Sequence, residues 1–271
     1  MQRFVIPAFL FCFALFALGC APRTDAARAS AKTQEIVVFA AASLTEAFTQ
    51  VGASFEQTHP QSRVIFNFAG SQQLASQLDQ GAQADIFASA DQRQMDAVVS
   101  TGRIDPASVI SFACNRLVVV SSSESVASLR DLTAPGVKLV IGAQAVPVGV
   151  YTLDFLDAAA ADPSYGEAFR TGVLANVVSY EQNVRAVLSK VRLGEADAGI
   201  VYATDAQTAA DVAVLGIPPH LNQLTGYQIA PLRDGSSPDV AAQFVDFLRS
   251  PEGKSLLTDA GFSIACAPAT R

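Results

Sequence analysis

From residue 35 onward the chain switches repeatedly between two hydrophobic periods, and this restricts the fold more than any other feature. Residues 35–40 (EIVVFA) form a short apolar run suited to a strand. Residues 43–58 then place Leu44, Ala47, Phe48, Val51 and Phe55 on one helical stripe. Residues 63–68 alternate Val64, Phe66 and Phe68 as a second strand, and residues 71–80 form a helix stopped by Gly81. A third strand over 85–88 and a helix over 92–100, ended by Thr101-Gly102, complete the series. Such an order predicts a mostly parallel sheet with helices on both faces.

The pattern resumes after a polar stretch. Residues 116–121 (RLVVVS) read as a buried strand, followed by strand 138–141, helix 149–160, strand 176–180, helix 183–193 and strand 197–202. Residues 226–232 form a further strand. Ser237-Pro238 and Ser250-Pro251 then open two closing helices, each with a capping serine and a first-turn proline. The simplest organisation is two similar α/β lobes with mostly parallel sheets. The first takes residues 35–113 plus 230–266, the second residues 114–229, and the last helices return to the first lobe.

The N-terminus reads differently. Arg3 precedes an apolar run from Phe4 to Leu18 that is broken only by Pro7. This is short of the roughly 20 residues of a membrane span and suits a signal-peptide core. Residues 1–19 are therefore read as a signal peptide, and residues 20–34 as a flexible tether of small and polar residues. Ala17-Leu18-Gly19-Cys20 resembles the lipobox of bacterial lipoproteins, which makes Cys20 a candidate for lipidation. Cleavage after Ala29-Ser30-Ala31 is the alternative. Both place the folded body in the periplasm or cell envelope. There Cys114 and Cys266 are free to form a disulfide or to stay as two buried thiols.

Charge and composition narrow the function. Acidic side chains outnumber basic ones by 25 to 18 and no basic run occurs, so nucleic acid is not an expected partner. Only two histidines are present, His59 and His220, which argues against a histidine-built metal centre.

The junctions between strands and helices carry the functional signal. Residues 38–48 (VFAAASLTEAF) pass from strand to helix without glycine, lysine or arginine, unlike a nucleotide-binding loop. Ser43 and Ser71 each start a helix, where backbone N–H groups lack intrahelical partners. Ala40, Ala41, Ala42 and Ala69-Gly70 leave space above the sheet, where ligands of α/β proteins bind. Ser43-Leu44-Thr45-Glu46 also fits a capping box, the commoner role for such a serine. The second half repeats the arrangement with helix starts at Val146-Pro147-Val148-Gly149 and Gln182-Asn183-Val184-Arg185, and with Tyr202 at a strand end. A site of hydroxyls and N–H groups alone suits a fully deprotonated oxyanion, whereas hydrogen phosphate also needs an acceptor. Serine hydrolysis would need a general base and a nucleophile elbow, and the sequence offers neither.

Six stretches in order, VFAAASLTEAF (38–48), NFAGSQQLASQL (67–78), ADIFASAD (84–91), VPVGVY (146–151), NVRAVLSKVRLGEADAGIVYATDA (183–206) and GF at 261, resemble the molybdate-binding proteins of bacterial ABC transporters. These are periplasmic solute-binding proteins. The resemblance implies a type II periplasmic-binding-protein fold with a hinge, and a monomer without cofactor or catalysis. It further implies that the chain captures molybdate, and tungstate with it, for an ABC permease; sulfate on the same fold is the alternative. Matched residue by residue, the ligand set is Ser43, Ser71, Val148, Val184 and Tyr202. The family commonly has alanine where Val148 stands, which bears on size selectivity. Asp85 and Asp91 are expected in turn and cap roles, Arg185 in a surface or inter-lobe ion pair with indirect contact to the anion as the alternative, Tyr151 and Tyr180 in packing or at the cleft rim, and both histidines in loops.

Overall fold

The computed structural model describes residues 33–266. The proposed signal peptide, the tether up to residue 32 and Cys20 lie outside the described residues. Two five-stranded sheets organise the chain.

In the first sheet, β1 (Gln34–Ala41) pairs in parallel with β2 (Ser62–Ala69) and β3 (Ile86–Ser89). The helices between them are α1 (Thr45–Thr58), α2 (Ser71–Asp79) and α3 (Gln92–Ser100). The next strand, β4 (Ile110–Asn115), forms one edge of this sheet, and the chain then leaves for the second.

The second sheet holds β5 (Leu117–Ser121), β6 (Leu139–Gly142), β7 (Val177–Glu181), β8 (Ala198–Tyr202) and β9 (Ala213–Gly216). Its helices are α4 (Pro147–Ala161), α5 (Glu167–Ala175), α6 (Val184–Arg192) and the short α7 (Ala203–Gln207). β10 (Thr225–Pro231) re-enters the first sheet, and α8 (Pro238–Arg249) and α9 (Pro251–Asp259) pack against α1.

The strand orders are β2-β1-β3-β10-β4 and β7-β6-β8-β5-β9. Each sheet contains one reversed strand, β10 or β5, which pairs antiparallel on both sides. The sheets are therefore mixed rather than simply parallel. The physical reason is the route of the chain: the reversed strand in each sheet is the one that arrives from the other lobe. The expected division also shifts, because residues 114–115 and 225–229 pair in the first sheet and not in the second.

Burial follows the strand period. Ile36, Val38 and Ala40 face a core with Phe48, Phe55 and Phe244, while Phe39 faces the opposite layer with Leu74, Leu78, Phe87 and Met95. Both faces of β1 are thus covered, as expected for a central parallel strand. The second lobe has its own core around Val119, Val140, Phe155, Leu156, Val187 and Val201.

The crossovers between lobes are short and tied down. Asn222 accepts from the Leu117 N–H (3.0 Å) and donates to its carbonyl (2.7 Å), while Asn115 donates to Thr204 (2.7 Å). Cys114, in β4, joins Cys266 in a disulfide with a Cα–Cα distance of 5.7 Å. The Cys114 backbone also exchanges hydrogen bonds with Ser263. This holds the C-terminal segment on the edge of the first sheet.

Candidate functional site

All the candidate residues sit where the polypeptide leaves the carboxyl ends of strands. β1 ends at Ala41, and a 3-10 turn (Ala42–Leu44) precedes α1. Ser43 lies in that turn, buried. Its hydroxyl does not cap α1; it bonds the Tyr227 hydroxyl at 2.8 Å. Glu46 does not complete a capping box either, but pairs with Arg185 of the second lobe.

Ser71 is the first residue of α2, following the N-cap Gly70. Its Oγ accepts the Ala90 N–H at 3.1 Å, so its own proton is free for another acceptor. From the second lobe, Val148 occupies the first turn of α4 behind Pro147, and Val184 starts α6 behind the N-cap Asn183, whose side chain accepts the Ala186 N–H. N–H groups at these positions have no intrahelical acceptor. Tyr202 ends β8, fully buried, and its Oη has no partner among the described residues.

These five residues line a single cavity of about 20 Å³, together with Ala41, Ala42, Gly70, Ala90, Val146 and Pro147. None of the eleven carries a charge. On a measure where a water needs roughly 10–15 Å³, this space takes one small solute and no organic acid of several carbons. The Val148 side chain packs over Gly142, where a Cβ would lie 2.6 Å from Val148 Cγ1. Glycine at 142 thus makes room for valine at 148.

Burial pushes the Tyr202 phenol well above the ordinary tyrosine range, helped by the neighbouring Tyr227, Tyr151, Asp91 and Asp205. It is therefore a hydroxyl donor at neutral pH. Three helix N-termini, those of α2, α4 and α6, converge on the cavity and supply partial positive charge without a cation.

Around the cavity the lobes touch directly. Gln72 Nε2 donates to the Gln182 carbonyl and Gln73 Nε2 to Gln182 Oε1, both at 2.7 Å. Gly70 permits this approach, since a Cβ there would lie 2.5 Å from the Gln182 carbonyl oxygen. Arg185 bridges the lobes, pairing with Glu46 on one side and lying 2.8 Å from Asp205 Oδ1 on the other. Burial pushes the Asp205 carboxyl up to about 7 against the pull of Arg185.

The remaining residues singled out in the sequence fall outside the cavity. Asp85 accepts the Val37 and Ser237 N–H groups, and Asp91 caps α3 through the Gln94 N–H. His59 stacks on Phe55 at the end of α1, and His220 pairs with Asp162. Tyr180 is exposed on the edge strand β7. Tyr227, by contrast, was not singled out. Its signal is a phenol at a core-facing position of β10, in step with the buried Thr225 and Ile229.

Residues 36–263 match the family model described as bacterial extracellular solute-binding protein. The chain is 40% identical over 253 residues to the molybdate-binding protein ModA of Mycobacterium tuberculosis, covering 91% of this chain and 92% of that one. It is 32% identical over 262 residues to the molybdate-binding protein ModA of Escherichia coli, covering 92% and 97%. Among solved structures, the periplasmic molybdate-binding protein of Azotobacter vinelandii superposes with a TM-score of 0.74 at 19% identity, over 85% of this chain and all of that one. Two mixed-sheet lobes joined by paired crossovers, with a small cavity where helix starts converge, are thus accompanied by matches over nearly the whole folded body: the chain belongs to the bacterial extracellular solute-binding proteins.

Proposed function

We propose that the protein is an exported receptor that captures molybdate, and tungstate with it, between its lobes and delivers it to an ABC permease. In this reading Ser43, Ser71 and Tyr202 donate through their hydroxyls, and Val148 and Val184 through their backbone N–H groups. The observation that carries it is a cavity of the size of one small solute, with donors around it and no charged or acceptor-only side chain in its lining. The molybdate-binding names of the two curated relatives support the choice of ion.

The energetics are adequate. Hydrogen bonds to a charged group contribute roughly 1.5–3 kcal/mol each, and a favourable helix terminus about 0.3–1 kcal/mol. Five donors and three termini sum to roughly 8–18 kcal/mol, and the upper half of that range covers the roughly 8 kcal/mol of micromolar affinity together with an association cost of about 4 kcal/mol. Selection against sulfate, of equal charge, rests on cavity size and donor spacing. The protein acts as a monomer, held at the membrane through Cys20 where that residue is acylated.

A thermal-shift panel of oxyanions on the folded body tests the assignment, because a ligand bound only by the native state raises Tm. Molybdate and tungstate are expected to raise it, and Ser43→Ala and Ser71→Ala each to weaken molybdate binding at least tenfold in calorimetry. Tight binding of sulfate with none of molybdate overturns the assignment.

A further inference from the structure

Tyr227 lies outside the five-residue ligand set, yet its hydroxyl touches that set. It is wholly buried in β10, with its ring edge-on to Tyr202 (5.9 Å), Phe112 (6.2 Å) and Phe262 (5.3 Å). Its hydroxyl bonds the Ser43 hydroxyl at 2.8 Å, and the Asn115 side chain also reaches it; an amide N–H there can only donate, which leaves the phenol's own proton for Ser43. Burial, and secondarily the nearby Asp205, keep the phenol protonated far above neutral pH. Tyr227 therefore offers one proton, and a buried phenol must place it on an acceptor.

A serine hydroxyl has one proton and two lone pairs. If Ser43 gave its proton to Tyr227, none would remain for an anion in the cavity. The reverse order leaves every group satisfied: Tyr227 donates to Ser43, and Ser43 donates onward. Ser71 shows the same arrangement with a backbone donor, since the Ala90 N–H can only give.

We infer that Tyr227 is a positioning residue of the binding site, which fixes the rotamer of Ser43 and points its proton at the bound oxyanion. This rests on the donor-only reading above and extends it to a residue that never touches the ligand. It also assigns a role in binding to β10, the strand that returns from the second lobe.

The test is a double-mutant cycle by calorimetry, using whichever of molybdate, tungstate and sulfate raises the wild-type Tm. Tyr227→Phe keeps the ring packing, so its ligand-free Tm should stay within a few degrees of wild type. Its affinity should fall about five- to tenfold, the worth of one organised hydrogen bond. In a Ser43→Ala background the same change should cost nothing further, an outcome that a purely structural tyrosine would not give. Undiminished affinity in Tyr227→Phe, or an equal loss with and without Ser43, overturns the inference. Should sulfate alone bind, the choice of ion fails while the cycle, run with sulfate, still decides the role of Tyr227. Wild-type protein that binds no oxyanion overturns both.

Discussion

Gly70 gives a sharp test of how the lobes close on a ligand. Its backbone, at φ −61° and ψ 136°, is open to any residue, so alanine introduces no backbone strain. The added Cβ would instead meet the other lobe, 2.5 Å from the Gln182 carbonyl oxygen, and would crowd the Gln72 amide that bonds it. Ordinary contact begins at 3.4 Å, so the lobes must part locally by about 0.9 Å. The two 2.7 Å bonds to Gln182 then stretch to about 3.6 Å, beyond a hydrogen bond. Losing both costs about 1–3 kcal/mol of closure, which predicts five- to 150-fold weaker oxyanion binding. Loss of the N-cap glycine costs at most about 1 kcal/mol of lobe stability, a few degrees in a chain of this size. Calorimetry of Gly70→Ala with molybdate, beside its ligand-free Tm, separates the two effects. Wild-type affinity in the variant, or a ligand-free Tm lowered by ten degrees or more, would refute the wedge.

Three further outcomes are expected. Tyr202→Phe removes a buried hydroxyl that has no partner among the described residues, so the ligand-free Tm should hold or rise while oxyanion affinity falls about tenfold. Asp205 has a folded pKa of about 7 against an ordinary 3.8, so its protonated form favours the folded state. That stabilisation is complete below about pH 4 and lost as pH rises through 7; ligand-free Tm should decline across this window in wild type and less in Asp205→Asn. Reducing the Cys114–Cys266 bond opens a loop of sequence separation 152, and about 2–5 kcal/mol of stability should go with it, read as a lower Tm in dithiothreitol.

Much of the first lobe is legible in the sequence because its helices and strands carry strong periods and clear stops. Ser43, Ser71, Val148, Val184 and Tyr202 fall together because each marks a strand end or a helix start, and such positions gather at one edge of a sheet. What stays hidden is whatever depends on residues far away along the chain. Glu46 matches a capping box locally, but Arg185, 139 positions away, pairs with it instead. Ser43 likewise looks like a cap until Tyr227, 184 positions on, supplies its partner. β4, β9 and the short α7 also escape notice, although strands as short as β3 do not: β9 is largely exposed and so lacks a buried apolar run, and α7, at five residues, is little more than one turn.

The route of the chain bears on how the protein assembles. Every strand of the second sheet comes from one uninterrupted stretch, Leu117 to Gly216, whereas the first sheet lacks an inner member until Thr225–Pro231 arrives. A chain emerging N-terminus first thus presents a finished second half while its first half still waits for the last strand and its two covering helices. Early chain termination would spare the middle of the molecule and leave the beginning incomplete.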